Sequence, residues 1–526
     1  MDRRNAWKLS LVCGAVALLG ACGGDDNEDE PSAEAPGVSA QDACNALNGK
    51  TVGGAPSVSA VAVAASGATP TYCKVAGTIA PSLNFEMRLP DSWNGKLHYG
   101  GGGGYNGAIP GLSGSTLEAL KKGYATVSSD SGHQGSGLDA SFALNDPYAA
   151  QLFGSLSVPT VMSTAKELLN TAYDKLPERS YFEGCSNGGR EALMNVQRYP
   201  TLFDGVIARA PAYNWVGVMG AFNRNAKALA APGGQFSAAK VALLSNAVLA
   251  SCDALDGVTD GVVSNPQACT AAFDPATLRC TGGTDTGDTC LSDAQLAVVN
   301  SWVSPAVFAG SPTYRNAGWN LTGNESDPGA WPAWVSGNGD YTKGLQYLFQ
   351  DTTVKNYLAR DPNVNSLTYS PLDQNQSAIF SMAALNDATS ADLRPFESSG
   401  GKLILWHGGN DAALSVNSTT AYYANVVSAM GNRSNADEFV RYYIAPGVNH
   451  CSGGPGADNV DLLAQLDAWV TKGQAPETLE ARKLAADGST VLSRPLCVYP
   501  QYPRYTGPAN DATAATLASN YQCTTP

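Results

Sequence analysis

The segment with the clearest chemical signature is Gly184-Cys185-Ser186-Asn187-Gly188, which matches the G-x-S-x-G pattern. A strand-like run, 180–183, precedes it and a helix-like run, 190–196, follows it. Flanking glycines allow the sharp strand-to-helix turn that exposes a serine hydroxyl, and the N-terminus of the following helix favours negative charge beside it. A plain glycine-rich turn is the alternative in a chain with 56 glycines. The strand and helix around the motif favour Ser186 as a nucleophile.

A serine hydroxyl needs a base to take its proton, and the chain contains four histidines. His450 is the predicted base, because it lies in a loop after a predicted strand, 439–444, near the end of the chain. His98 ends an early predicted strand and His133 lies in a polar loop, so each is either structural or an alternative base. His407 directly follows another predicted strand and fits a core or loop-positioning role better.

The predicted partner of His450 is Asp411, which lies just after the predicted strand 402–406. Its carboxylate would accept a hydrogen bond from one imidazole nitrogen, set the tautomer and stabilise the imidazolium. Formation of the Gly-Asn-Asp turn is the alternative role for this aspartate. The order Ser186, Asp411, His450 is that of α/β-hydrolases, and the three side chains together predict acyl transfer through a covalent intermediate.

Acyl transfer also needs two backbone N–H donors for the tetrahedral oxyanion. Asn187, the residue after the nucleophile, is the first predicted donor, and Gly104, in the glycine run 100–104, is the second. A flexible loop or a phosphate cradle is the alternative role for this run. It lacks the G-x-x-x-x-G-K-[ST] pattern, which argues against nucleotide binding.

The elements that must position these residues alternate between strand and helix from about residue 85. Predicted strands at 96–99, 124–128 and 180–183 are separated by predicted helices at 116–122 and 161–173. This order predicts an α/β protein with a mainly parallel sheet covered by helices, here the α/β-hydrolase fold.

The alternation stops ahead of residues 216–395, which are rich in Gly, Asp, Asn and aromatic residues and contain four cysteines. We predict that this stretch is a large inserted lid domain. The catalytic domain would then comprise 43–215 and 396–526, which suits a chain of 526 residues. An apolar strand at 402–406 and an amphipathic helix at 460–470 resume the α/β pattern after the lid.

Residues 1–21 combine a basic start, a short apolar run and a small-residue cleavage site, so they are predicted to be an export signal. Leu19-Gly20-Ala21-Cys22 resembles the lipobox of bacterial lipoproteins, in which Cys22 becomes the lipidated first residue; an ordinary signal peptide with a chance cysteine is the alternative. Residues 22–42 are acidic and poor in apolar groups, which predicts a disordered tether. We expect a lipoprotein in the periplasm or at the cell surface, with the outer membrane as one location.

The net charge and the cysteine content indicate which kinds of ligand and which covalent links to expect. Without residues 1–21 the formal net charge changes from −14 to −16, and such an acidic protein is a poor nucleic-acid binder. Ten cysteines follow Cys22, and in an exported protein an even number predicts disulfides. The sequence has no CxxC pair and few histidines, which disfavours a zinc site.

Cysteines stand immediately before Ser186 and immediately after His450. With the motifs Gly-Cys-Ser-Asn-Gly-Gly-Arg, Gly-Gly-Asn-Asp-Ala-Ala and Gly-Val-Asn-His-Cys-Ser-Gly-Gly-Pro-Gly, they resemble the tannase and feruloyl esterase family, which also contains mono(2-hydroxyethyl) terephthalate hydrolases. The resemblance covers about residues 42–525. It implies a disulfide between the nucleophile turn and the histidine loop together with four further pairs: Cys185–Cys451, Cys252–Cys269, Cys280–Cys290, Cys497–Cys523 and Cys44–Cys73.

The resemblance also implies a structural calcium site in the lid. The matching stretch is 252–262, in which three aspartates alternate with glycine turns. Carboxylates and backbone carbonyls suit a hard, oxygen-seeking cation. From the spacing of the aspartates alone, the alternative is that they are solvated residues of turns that bind no metal. The implied ligands are Asp253, Asp256 and Asp260 and the carbonyls of Val258 and Val262; no organic cofactor is implied.

Substrate choice is expected to come from the lid. The resemblance implies substrate contacts from Trp334 and Leu414, and Trp331 with Trp334 occupies the position of the aromatic wall in the family's terephthalate half-ester hydrolases. Those enzymes also present an arginine to the free carboxylate, whereas here Lys343 is the one cation between Trp334 and Phe349. A lysine lacks the bidentate geometry of arginine. Packing of both tryptophans in the lid core is the alternative.

Together these features predict a secreted serine carboxylic ester hydrolase that acts on small esters of aromatic or phenolic acids. A terephthalate half-ester hydrolase is the alternative among esterases, and a peptidase is a further hydrolase alternative. An anchored, non-catalytic binding lipoprotein is the alternative outside catalysis. We expect contact with a membrane only through the N-terminal lipid.

Overall fold

The computed structural model describes residues 37–55, 57–370, 376–509 and 511–526. The predicted export signal, Cys22 and most of the predicted tether lie outside these ranges. The first helix begins at Ala40, so the predicted end of the tether at residue 42 falls inside that helix. Residues Val38–Pro526 pack as one compact unit.

Several of the strands are short runs rich in β-branched and aromatic residues, the types that favour a strand. In chain order they are β1 (Ser59–Val63), β2 (Tyr72–Ile79), β3 (Leu83–Pro90), β4 (Lys96–Gly100), β5 (Ala125–Ser129), β6 (Arg179–Ser186), β7 (Gly205–Pro211), β8 (Ala306–Phe308), β9 (Ser311–Asn316), β10 (Lys402–Gly408), β11 (Val440–Ala445), β12 (Leu479–Leu484), β13 (Thr490–Leu496), β14 (Tyr502–Tyr505) and β15 (Tyr521–Thr524).

The α-helices connect and cover these strands. They are α1 (Ala40–Leu47), α2 (Gly114–Lys121), α3 (Phe142–Asn145), α4 (Pro147–Gln151), α5 (Ser157–Tyr173), α6 (Asn187–Arg198), α7 (Trp215–Ala230), α8 (Ala238–Cys252), α9 (Pro266–Ala272), α10 (Asp293–Val303), α11 (Trp331–Trp334), α12 (Leu345–Thr353), α13 (Gln376–Asn386), α14 (Arg394–Ser398), α15 (Val416–Ala429), α16 (Arg433–Asp437) and α17 (Leu462–Lys472). Single turns of π-helix at Leu152–Leu156 and Val354–Leu358 continue α4 and α12.

Within the described residues, nine strands form one central sheet in the order β1-β2-β3-β5-β4-β6-β7-β10-β11. The six strands from β5 to β11 are parallel, which confirms the predicted α/β-hydrolase fold with a mainly parallel sheet. The antiparallel edge β1-β2-β3 was not predicted. Strands β1 and β2 are rich in small residues and carry little periodic signal, whereas β3 alternates apolar Leu83, Phe85, Met87 and Leu89 with polar residues, a pattern that could have predicted it.

Both faces of the parallel strands are buried, as helical crossovers require. Along β10, Leu403 and Leu405 face one core, and Ile404 and Trp406 face the core on the other side. The second face is covered by α17, which lies two residues later than the predicted helix 460–470. Such alternation into two apolar layers fixes the strand register, because a shift of one residue would exchange the two faces.

Between β7 and β10 the chain forms helices α7 to α14 and the hairpin β8–β9, in the region predicted as an inserted lid. A core rich in aromatic residues, including Trp302, Trp319 and Trp331, holds it together. One helical stretch here, Ala238–Asp256, is long and apolar enough to cross a membrane. Its residues Val241, Leu244 and Val248 are buried in that same core, as in a helix of a globular protein.

Helix α7 starts the inserted region, and a buried carboxylate binds its first turn. Asp387 accepts a hydrogen bond from the Val216 N–H at 3.1 Å and is 9% exposed. Burial raises the pKa of Asp387 from its ordinary 3.8 to about 7, although hydrogen bonds from backbone N–H groups oppose the shift. The folded protein therefore holds this proton more tightly than the unfolded chain does.

Because the folded-state pKa of Asp387 is raised, the free energy of unfolding falls as pH increases from 3.8 to about 7. Asp387→Asn removes this titration. We expect the wild type to lose about 2 to 3 kcal/mol more than Asp387→Asn between about pH 5 and about pH 8, at about 1.4 kcal/mol per pKa unit. Urea unfolding followed by tryptophan fluorescence measures the difference. Exposed Asp288→Asn is the control, and equal pH slopes for wild type and Asp387→Asn would contradict the prediction.

Candidate active site

Ser186 lies at a sharp turn between strand and helix, since it is the last residue of β6 and Asn187 is the first of α6. Its φ of 64° and ψ of −120° are costly for a residue with a Cβ. A Cβ on Gly184 would lie 2.6 Å from the carbonyl oxygen of Gly188. Glycine is therefore required where the backbone folds back on itself, and the turn projects the serine from the sheet edge.

Asp411 and His450 meet beyond the ends of two neighbouring parallel strands. Strands β10 and β11 are paired up to Gly408 and Ala445, and the loops that follow leave the sheet side by side. His450 Nδ1 lies 2.8 Å from Asp411 Oδ2. With Nδ1–H as the donor, Nε2 remains as the proton acceptor. This is the tautomer that a base for a serine requires.

The Asp411 carboxylate is buried and has several hydrogen-bond donors. Oδ1 accepts the N–H groups of Ala413 and Leu414, each at 2.8 Å. Oδ2 lies 3.2 Å from Nε2 of the buried His407 in addition to its bond with His450. Burial raises the pKa of this carboxyl, but the charge of His450 and the hydrogen bonds from both histidines outweigh burial and hold the pKa below its ordinary range.

The other histidines have structural surroundings. His407 Nδ1 also contacts the Thr419 hydroxyl at 3.0 Å, so the ring is engaged at both nitrogens beside Asp411. His98 is fully buried and lies 3.7 Å from Glu183. His133 stacks on Phe142 with ring centroids 3.7 Å apart, and burial lowers its pKa.

A disulfide joins the residue before Ser186 to the residue after His450. Cys185–Cys451 closes a separation of 266 residues. A ring nitrogen of His450 and the two sulfurs lie within 4.8 Å of one another, which places the imidazole beside the nucleophile turn. The structure also joins the four other pairs that the resemblance implied: Cys44–Cys73, Cys252–Cys269, Cys280–Cys290 and Cys497–Cys523.

The residues that precede the predicted acid and base bind each other. Asn410 Nδ2 donates to Asn449 Oδ1 at 2.6 Å. The Thr322 hydroxyl donates to Asn410 Oδ1, and Asn449 Nδ2 donates to Asp327 at 2.6 Å. The loop that contains Asp411 (the acid loop), the loop that contains His450 (the histidine loop) and the inserted region thus share one polar network. Neither asparagine was predicted from the sequence, although each is adjacent to a predicted triad residue.

Ser186 opens into an apolar cleft. The other lining residues come from the glycine run, α6, the loop after β7, the inserted helices and the acid loop: Gly104, Asn187, Ala212, Trp215, Val218, Met219, Phe222, Trp334, Phe349, Ala413 and Leu414. Both predicted oxyanion donors therefore share the cleft with Ser186. None of these described lining residues is charged, which suits an apolar or aromatic ligand. The four residues from α7 were not predicted, because this helix is apolar on nearly all sides.

The two tryptophans of α11 have different positions. Trp334 meets the His450 ring edge-on at 5.1 Å and stacks with Phe349 at 6.1 Å. Trp331 is 1% exposed and packs against Trp302 in the core of the inserted region. Trp334 is thus part of the cleft wall, together with the predicted contact residue Leu414, whereas Trp331 is a core residue.

The residues predicted to bind calcium lie between α8 and α9. Asp253 and Asp256 are 6% and 1% exposed, and burial, with a smaller effect from Asp260, raises the pKa of Asp256 to about 7. Asp260 pairs with Arg494 at 2.5 Å. The three aspartates lie within one short stretch of chain, and among the described residues only Asp260 forms an ion pair, so this stretch has more carboxylates than cationic partners. This donor set fits a hard cation.

The two valines of the predicted site lie within the same turn. The Val258 N–H donates to Asp256 at 3.3 Å, and the Val262 N–H donates to Asp260 at 3.1 Å. These bonds hold the backbone of both valines next to the carboxylates. Such hydrogen bonds also occur in turns that bind no metal. The excess of carboxylates over cationic partners is therefore the observation that favours a cation here.

The chain is similar to known proteins over most of its length. The family model described as tannase and feruloyl esterase matches residues 66–524. Mono(2-hydroxyethyl) terephthalate hydrolase from Piscinibacter sakaiensis is 35% identical, with 89% of this chain and 87% of the relative covered. A probable feruloyl esterase B-1 from Neosartorya fischeri is 30% identical, with 83% and 84% covered.

A solved structure shows the same architecture. Feruloyl esterase B from Aspergillus oryzae superposes with a TM-score of 0.78 at 25% identity, over 92% of this chain and all of that one. The predicted enzyme class, a carboxylic ester hydrolase, agrees with these relatives. The family match and the 35% identical relative together cover most of the chain, so the protein belongs to the tannase and feruloyl esterase family of α/β-hydrolases.

Proposed function

We propose that this protein is a serine esterase in which Ser186 is the nucleophile, His450 the base and Asp411 the residue that orients His450. The observation that carries the proposal is the 2.8 Å hydrogen bond from His450 Nδ1 to the buried Asp411 carboxylate. This histidine lies in a loop that a disulfide binds to Cys185, the neighbour of Ser186. Base and nucleophile are thereby kept at one sheet edge.

The reaction then follows the chemistry of a serine acyl transfer. Ser186 Oγ attacks the ester carbonyl carbon while His450 Nε2 takes the hydroxyl proton. The C–O bond to the alcohol breaks as the imidazolium returns that proton to the leaving oxygen, and an acyl-serine remains. Water, deprotonated by His450, releases the acid and restores Ser186. Asp411 stays ionised throughout and stabilises the imidazolium.

The tetrahedral oxyanion would be bound by two backbone N–H groups, those of Asn187 and Gly104. Both residues line the cleft with Ser186. Asn187 is the first residue of α6, where the helix dipole favours negative charge. Such preorganised donors supply a large share of the rate enhancement in acyl transfer.

The cleft favours an uncharged aromatic acyl group, such as a phenolic acid. Trp215, Phe222, Trp334 and Phe349 supply its aromatic surface. Lys343, the cation considered as a carboxylate partner, is 75% exposed and lies 3.3 Å from Asp340 outside this cleft. A substrate carboxylate buried here without a cation would cost several kcal/mol. The structure therefore supports aromatic esters over terephthalate half-esters, whose hydrolase is nevertheless a 35% identical relative.

Calcium is part of the same proposal, as a structural ion. Asp253, Asp256 and Asp260, with the carbonyls of Val258 and Val262, would hold it. The ion would neutralise carboxylates of which two, those of Asp253 and Asp256, are buried, and it would keep the turn after α8 in one conformation. No catalytic step involves this turn.

We also propose export and lipid attachment at Cys22. Five disulfides support an oxidising compartment, because thiols in the cytosol are kept reduced. The anchored but non-catalytic protein is the competing function, and a fluorophosphonate that fails to label Ser186 would favour it.

The first test is ester hydrolysis by the purified protein without residues 1–22. We expect Ser186→Ala to lower kcat by at least about a thousand-fold on methyl ferulate, methyl gallate or p-nitrophenyl butyrate, because the nucleophile is lost. Ser251→Ala, at an exposed serine of α8, should match the wild type. If Ser186→Ala hydrolysed these esters at the wild-type rate, another group would be the nucleophile.

The second test compares a neutral aromatic ester with mono(2-hydroxyethyl) terephthalate. We expect kcat/KM to be at least about ten-fold higher for the better of methyl ferulate and methyl gallate, because the cleft has no partner for the terephthalate carboxylate. Lys343→Ala should leave this ratio unchanged. A preference for the terephthalate ester that Lys343→Ala abolishes would show that this lysine binds the substrate.

The third test concerns calcium. We expect a chelator to lower Tm by at least about 5 °C and added Ca²⁺ to restore it, because the ion binds only the folded turn. Differential scanning calorimetry measures the change. Asp253→Asn should have the lower Tm with or without Ca²⁺, whereas exposed Asp288→Asn should respond like the wild type. If neither the chelator nor added Ca²⁺ changed the Tm of the wild type, the calcium site would be excluded.

A further inference from the structure

The glycine run after β4 lies in backbone contact with the first turn of α6. A Cβ on Gly188 would lie 2.7 Å from the carbonyl oxygen of Gly102, and one on Gly101 would lie 2.9 Å from Gly188 Cα. This contact brings the strand-end loop that contains Gly104 next to the turn that contains Asn187. Packing alone does not fix the loop, because glycine backbone has wide conformational freedom.

One side chain binds both segments. Glu191 lies one turn after Asn187 on α6 and is 4% exposed. Its Oε2 accepts the N–H of Gly102 at 3.0 Å. Its Oε1 accepts Nδ2 of Asn106 at 2.7 Å and Nδ2 of Asn187 at 3.2 Å. The carboxylate thus holds the loop on both sides of Gly104 and also holds the residue after Ser186.

Asn106 completes the link on the loop side. Its N–H donates to the Gly103 carbonyl at 2.8 Å, which closes a tight turn around Gly104. Its Oδ1 accepts Nδ2 of Asn187 at 3.1 Å. Its φ of 57° is a conformation that asparagine tolerates better than most residues. The position of Gly104 is therefore set by a turn whose closing residue binds both Glu191 and Asn187.

We propose that Glu191 is a positioning residue that sets the separation between the two oxyanion donors, the N–H groups of Gly104 and Asn187. This inference rests on the proposed serine esterase function. It concerns how the oxyanion site is built, since Glu191 itself lies behind the cleft and is not among its lining residues. Donors in an oxyanion site act only when they are held near 3 Å from the developing charge. A loop that moves out of place therefore lowers the catalytic rate but leaves the affinity for substrate unchanged.

The network requires a carboxylate at position 191, and an amide cannot replace it. Glu191 accepts three hydrogen bonds on two oxygens, whereas glutamine would present an NH₂ group to one side. The Asn187 amide cannot rotate to compensate, because its Oδ1 already accepts Arg190 Nε at 2.7 Å. Arg190 is fully buried and also offsets the negative charge of Glu191 near the oxyanion.

The test is Glu191→Gln, with kcat, KM and the affinity for an alkyl boronic acid measured on the same preparation. The boronate forms a tetrahedral adduct with the serine and reports the oxyanion donors. We expect kcat to fall by about 10- to 100-fold with KM within about three-fold, and boronate affinity to fall by a similar factor. Binding of the free product acid should change little. Active-site titration with a fluorophosphonate corrects kcat for the folded fraction.

The matched control is Asn195→Ala, one turn further along α6. Asn195 is also buried and donates one hydrogen bond to the Glu191 carbonyl, but it contacts neither loop donor. We expect its Tm to fall while kcat and boronate affinity stay at wild-type values. If Asn195→Ala and Glu191→Gln lose kcat in proportion to their loss of Tm, Glu191 is structural only and the inference is wrong.

A second variant covers the case in which Glu191→Gln does not fold. Asn106→Gly keeps the positive φ, removes the amide and leaves Glu191 in place, and it should show the same selective loss of kcat and boronate affinity. Values of kcat within three-fold of wild type in either folded variant would overturn the inference. Absence of Ser186-dependent hydrolysis in the wild type would instead overturn the proposed function, so the two failures are distinguishable.

Discussion

The pairing of β10 with β11 is the constraint on which the site depends. Their parallel register ends at Gly408 and Ala445, and it places the loops of Asp411 and His450 side by side. A carboxylate buried between them would be costly without donors. The acid loop supplies two of its own N–H groups, and the rings of His450 and His407 both contact the second carboxylate oxygen. Strand pairing and charge burial therefore specify the same geometry.

The inserted region is part of this site as well as its cover. It provides Trp334 against the His450 ring, and it provides Thr322 and Asp327 for the asparagines beside the acid and the base. The inserted region thus contacts both the cleft beside Ser186 and the histidine loop. A substitution in this region that changes the shape of the cleft is expected to shift the position of His450 as well.

The C-terminal hairpins extend this connectivity to the predicted calcium turn. Arg494 of β13 and Tyr521 of β15 both contact Asp260. The Cys497–Cys523 disulfide holds these hairpins together. The turn after α8 is therefore bound on one side by the C-terminal hairpins and on the other by its own disulfide, Cys252–Cys269.

Local sequence determined the nucleophile turn and the parallel strands, because glycine requirements and apolar runs act within a few residues. The pairing of the cysteines was predicted from the resemblance to the tannase and feruloyl esterase family. The edge strands β1 to β3, the hairpins β12 to β15, the Asn410–Asn449 bond and the contacts of Glu191 were decided only in the tertiary structure. Glu191 and Gly102 are 89 positions apart. Such contacts follow from how the sheet aligns distant loops, and no local pattern of residue types encodes that alignment.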